Sequence, residues 1–139
     1  MATQNKFENF SEHLAEKVHD LNADLIKAYL SNATPSASLD SVKADLAEIA
    51  AGNGYTAGGP DMQNATSRTG GTTSVTAVDA TITASGGSVG PFRYVVFYND
   101  TPTTPADPLI SWVDYGSAIT LADGESFTID VGTSLFTIA

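Results

Sequence analysis

A chain of 139 residues with 16 acidic and 6 basic side chains carries a net charge of −10 and has no cysteine. Phosphate binding needs clustered Lys and Arg, and Lys6, Lys17, Lys27, Lys43, Arg68 and Arg93 are scattered, so direct nucleic-acid binding is not expected. Disulfides and thiolate metal sites are excluded, and one domain, 1–139, is the simplest organisation at this length.

Met1–Lys6 lacks the apolar stretch of a secretory signal, and no apolar run reaches the roughly 18 residues of a membrane span. Neither export nor membrane association is expected. Phe7, Phe10, Leu14, Val18 and Leu21 then recur at steps of 3, 4, 4 and 3. That stripe predicts an amphipathic helix over 5–21, within an N-terminal arm 1–22. The stripe either packs on the body of the domain or presents Phe7 and Phe10 to a neighbouring subunit. His13 and His19, six apart on this helix, would point about 240° apart. They could share no metal there and would lie in solvent.

Ala23–Ser31 fits two patterns. Leu25, Ile26, Tyr29 and Leu30 could continue a helix, or Ile26, Ala28 and Leu30 could line one face of a strand with Leu25, Lys27 and Tyr29 on the other. Leu39, Val42, Leu46 and Ile49 predict a second, short helix over 39–50, stopped by Gly52. Residues 52–72 read as a Gly/Thr-rich surface loop. Its glycines permit close backbone approach to a neighbouring protein, and Asn53, Tyr55 and Pro60 join Phe7 and Phe10 as candidate interface residues.

Residues 73–139 form the predicted β core. Val78–Ala84 alternates as a half-buried strand. Phe92–Tyr98 is apolar on both faces and needs cover on both. Leu109–Tyr115 carries the only Trp, Trp112. Ala118–Leu121 and Ser126–Val131 flank Ala122-Asp123-Gly124-Glu125, a predicted hairpin turn with Gly124 at positive φ. Leu135–Ile138 is a last short strand. The fold class is therefore mainly β, an antiparallel sandwich or barrel-like domain with an N-terminal helix and one further short helix.

Little in this framework suggests a reaction. Gly86-Gly87-Ser88-Val89-Gly90 matches G-x-S-x-G, but a nucleophile elbow runs from strand to helix, and here Pro91 and a β-rich run follow. Gly52–Gly59 has no Lys-Ser/Thr ending and fails the phosphate-loop pattern. No calcium-loop pattern orders the carboxylates, and no catalytic residue, cofactor or metal is assigned. Phe92, Tyr94, Phe97, Tyr98, Trp112 and Tyr115 would make a sugar platform if several faced solvent. Lying in apolar runs, they read better as core.

Three blocks, Ala44–Gly59, Gly86–Asp100 and Asp114–Phe127, together with Asn5-Lys6-Phe7 and Asp24-Leu25-Ile26-Lys27, resemble a family of small virion structural proteins of tailed bacteriophages. In relatives the segment matching Asp24–Ser31 is more β-branched, which implies a strand here. The resemblance implies a capsid decoration (cement) protein on the outer shell. Its partner would be the major capsid protein, self-association as a trimer is an associated expectation, and no catalytic residue comes with it. A phage tail, collar or fibre component is the alternative within the virion, and a carbohydrate-binding module using Trp112 and Tyr115 is the alternative outside it.

Overall fold

Thr, Val, Ile, Phe and Tyr suit a pleated, half-buried surface, and they dominate the elements of the computed structural model, which describes residues 3–139. In chain order these are β1 (Thr3–Lys6), α1 (Asn9–Ala15), β2 (Ile26–Ser31), β3 (Ala65–Thr69), β4 (Thr72–Thr76), β5 (Ala80–Thr83), β6 (Val89–Asn99), β7 (Leu109–Leu121), β8 (Ser126–Ile129) and β9 (Phe136–Ile138). They form antiparallel sheets of order β1-β7-β6-β2, β3-β4-β9 and β5-β8. Among the described residues no sheet closes on itself, so the mainly β arrangement is not a closed barrel.

Strand β6 is apolar on both faces because it lies between two cores. Val95 and Phe97 enter the larger one, which is filled from all three sheets by Ile26, Val75, Ile82, Ile110 and Ile129 among others. Tyr94, Val96 and Tyr98 enter the smaller one with Phe7, Tyr29, Leu46 and Leu109. Register shifts along the β6–β7 ladder let Phe92 join the larger core despite its even number. The segment after β2 covers the smaller core, where Lys43 Nζ sits 4.9 Å above the Tyr29 ring. Ile26, Ala28 and Leu30 share one face of β2 and Tyr29 takes the other, as the strand alternative requires.

Several predicted elements are corrected. The first helix is confined to α1 and is preceded by a strand, β1, whose residues Thr-Gln-Asn-Lys carry no apolar alternation. Residues 1 and 2 of the predicted arm lie outside the described residues. Helix α1 ends in a Schellman motif, with Lys17 N–H to Leu14 O at 3.4 Å, Val18 N–H to His13 O at 2.9 Å and Lys17 at φ 66°. Glycine usually fills that left-handed position, and without it the stop is invisible. The apolar stripe runs past the stop because Leu21 still reaches the larger core.

The second helix is a single 3-10 turn, Lys43–Asp45. Leu39 is 81% exposed, while Leu46 and Ile49 serve different cores. The second half of the expected loop is a hairpin, β3–β4, turning at Gly70-Gly71; β3 is largely exposed, β4 is half-buried, and Val75 is the one large apolar residue in these Thr-rich strands. The turn at Ala122–Glu125 is present, with Glu125 N–H to Ala122 O at 2.9 Å and Gly124 at φ 89°. Its strands are not paired: β7 stays with β6, and β8 crosses to β5.

Candidate functional site

The five candidate interface residues fall apart on the structure. Phe7 is fully buried against Trp112, ring centroids 4.6 Å apart, while Phe10 lies in the other core beside Phe136 at 5.5 Å. One helical stripe thus merged residues that serve opposite faces of a sheet. Tyr55 is also buried, and only Asn53 is exposed, with Pro60 half-buried.

The glycine-rich stretch lies close against its own chain. A Cβ on Gly54 would stand 2.1 Å from Thr83 O, and one on Gly59 would stand 1.7 Å from Ala28 O. Glu48 ties the stretch down by accepting from Lys43 Nζ at 2.8 Å, Tyr55 Oη at 2.5 Å and Gly58 N–H at 2.6 Å. Burial would raise the Glu48 pKa, but these donors outweigh it and hold the carboxyl below its ordinary range. Burial and the adjacent Glu48 push Tyr55 well up, so its hydroxyl stays protonated and donates. Asn53 Nδ2 donates to Ser88 O at 3.0 Å, which pins one turn to the other.

The groups that could carry chemistry are dispersed. Ser88 sits in a turn between strands β5 and β6, far in role from an elbow before a helix. Arg93 makes a two-pronged pair with Asp114 at 2.8 and 3.1 Å and lies over the Tyr94 ring at 5.4 Å. Lys27 pairs with Asp100 at 3.1 Å. Burial and the neighbouring Asp100 raise the Asp107 pKa. Phe92, Tyr94, Phe97 and Tyr98 are buried, and half-buried Tyr115 packs on Phe127 at 5.2 Å, so the aromatic run serves packing. Among the described residues, no three His, Asp or Glu side chains gather as a metal set.

Two concavities stand out among the described residues. The first, about 360 Å³, has an apolar floor of Phe10, Leu14, Ile110 and Phe136 and a rim of Gln4, Lys6, Thr137 and Ile138. Two of its walls, β1 and β9, are the edge strands of their sheets. Edge strands present unpaired backbone groups to an incoming chain. Ile138 is 37% exposed there. This groove had no signal in the sequence, because one wall is a polar strand and the other joins it only through the fold.

The second, about 480 Å³, lies over the segment following α1 and is bordered by Lys17, His19, Asp20, Asp24 and Thr101. The histidines are not in solvent, as their spacing on a helix suggested. Both are buried, with ring centroids 6.1 Å apart, since the helix stops between them. No family model, curated protein or solved structure matches this chain.

Proposed function

We propose that this chain is a capsid decoration protein of a tailed bacteriophage, which binds the outer surface of the shell and bridges capsid subunits. The observation that carries the reading is the apolar groove walled by two edge strands, β1 and β9. It is a place for an extended apolar segment of the major capsid protein to add a strand and bury side chains. The resemblance of Ala44–Gly59, Gly86–Asp100 and Asp114–Phe127 to small phage virion proteins supports it. The dispersal of polar groups, most of them engaged within the fold, supports a binding role over a catalytic one. Self-association into trimers would multiply the contacts of each unit with the shell.

The mechanism is linkage. A protein that binds only the assembled shell stabilises it, by about 2.7 kcal/mol per site at one hundred times the dissociation constant. The acidic surface keeps free copies apart, so attachment rests on the apolar groove.

The test is cosedimentation of the purified protein with emptied phage shells, and particle melting with and without it. Saturable binding and a raised particle melting temperature are expected. Ile138→Asp should weaken binding at least tenfold while the free protein's own melting changes little, because Ile138 is on the rim. Binding to tails and not to shells would move the protein to the tail, and absence of any particle binding would overturn the reading.

A further inference from the structure

The turn that ends α1 places His19 back against His13. Both side chains are more than nine-tenths buried, at 8% and 7% residual exposure. Their surroundings fix the tautomer of His19. Asn99 Oδ1 accepts from Thr101 N–H at 3.1 Å, so its Nδ2 is the group facing Asp24 Oδ2 at 2.7 Å and His19 Nδ1 at 3.1 Å. His19 Nδ1 must then be an acceptor, and the neutral ring carries its proton on Nε2. That Nε2 and His13 Nδ1 are both buried without a hydrogen-bond partner.

Neutral His19 fits this site and its cation does not. A proton added to His19 would go onto Nδ1, opposing the Asn99 amide donor. Turning Asn99 over would set its carbonyl against the Asp24 carboxylate and its amide against Thr101 N–H. The ring packs against Phe10, at 5.2 Å, which gives an added charge no hydrogen bond, and lies 6.1 Å from the His13 ring.

We propose that the His13–His19 pair is an acid-opened latch, which holds residues 10–24 on the sheet at neutral pH and releases them on protonation.

The groups around the latch decide its direction. α1 contributes His13 and Phe10, β9 contributes Phe136 behind Phe10, and the end of β6 contributes the neutral Asn99. The segment after α1 contributes Asp24, with Lys17 and Asp20 on the same cleft. Asp24 favours the imidazolium, but burial and then His13 oppose it and bring the His19 pKa down to about 4 from its ordinary 6.5. The released form therefore binds the proton more tightly. Opening is favoured as pH falls through 6.5 and levels off below about 4. Between pH 7.5 and 4.5 the opening equilibrium rises about 70-fold.

Amide exchange reads this directly. The Val18 and Asp24 amides, bonded to His13 O and Asp20 O, report the latch. The Val95 amide reports the sheet. With exchange expressed as protection over the unstructured chain at each pH, the two latch amides should lose about 70-fold in protection from pH 7.5 to 4.5. Val95 should hold. In His19→Gln, which keeps a polar side chain that does not titrate, the pH dependence should vanish. A flat wild-type profile, or one that survives the substitution, would overturn the proposal. NMR titration of the histidine ring protons in the wild-type chain gives a second reading that needs no variant to fold. A ring titrating near pH 4 is expected, and two rings titrating near 6.5 would overturn it.

Discussion

The glycines of residues 52–59 show how one residue type takes its meaning from what lies beside it. Gly59 is at φ +75°, and an added Cβ would meet the Ala28 carbonyl at 1.7 Å. Gly70, at φ +59°, has nothing within 4 Å. Alanine in the left-handed region costs about 1–2 kcal/mol by itself. Gly70→Ala should lose about that much in urea unfolding. Gly59→Ala must also push the loop off the β2 backbone, and its loss should exceed about 4 kcal/mol, the range of disrupted cores and strained backbones. Equal losses would mean that the loop does not lie against β2. The sequence marked the glycines of 52–59 as sites of close approach, which Gly54 and Gly59 are, while Gly52 has nothing within 4 Å. It could not say that the approaching backbone belongs to the same chain, because the contact joins residues some thirty apart.

At the scale of elements, periodicity located the apolar strands, missed the polar β1, β3 and β4, and placed strand partners poorly. The run Phe92–Tyr98 was legible as a doubly covered strand because both of its faces are apolar, and the two cores agree. The turn Ala122–Glu125 was legible from Asp123-Gly124. What the turn joins was not, since a chain that leaves one sheet for another uses the same turn residues as a hairpin. Side-chain positions test the pairing. Thr81 and Thr128 are partners in the β5–β8 ladder, with their Oγ1 atoms 3.1 Å apart. Thr81→Cys with Thr128→Cys should oxidise to a disulfide between strands, visible as loss of free thiol. Bridging residues 47 apart in the chain, it should stabilise the fold by about 2–4 kcal/mol. If β8 were paired with β7, Thr128 would lie away from Thr81 and no bond would form. The first helix is shorter than predicted and the second is only a 3-10 turn, for a common reason: Phe7 and Phe10, and again Leu46 and Ile49, keep helical spacing while serving opposite faces of the sheet.

For the whole molecule, the accessible surface is 6868 Å² at 14.4 kDa, close to the roughly 6,800 Å² of a compact monomer of that mass. The fold thus completes its cores within one chain, and a partner adds to it without being needed to fill them. The two cores are not independent units. Successive side chains of β6 enter alternate cores, and β2 does the same with Leu30 and Tyr29. Losing either core would strip one face of both strands, so neither can melt and leave the other intact. Trp112 stands beside the smaller core and reports it by fluorescence. Far-ultraviolet circular dichroism reports all the strands. In urea at pH 7 the two curves should coincide, as cooperative two-state unfolding demands. At pH 4.5 the segment from Phe10 to Asp24 opens early, yet Trp112 belongs to the opposite face and its curve should still follow the strands. A separate fluorescence transition at pH 7 would show that the smaller core, with Phe7 and β1, comes away alone, and that β6 does not bind the two faces into one unit.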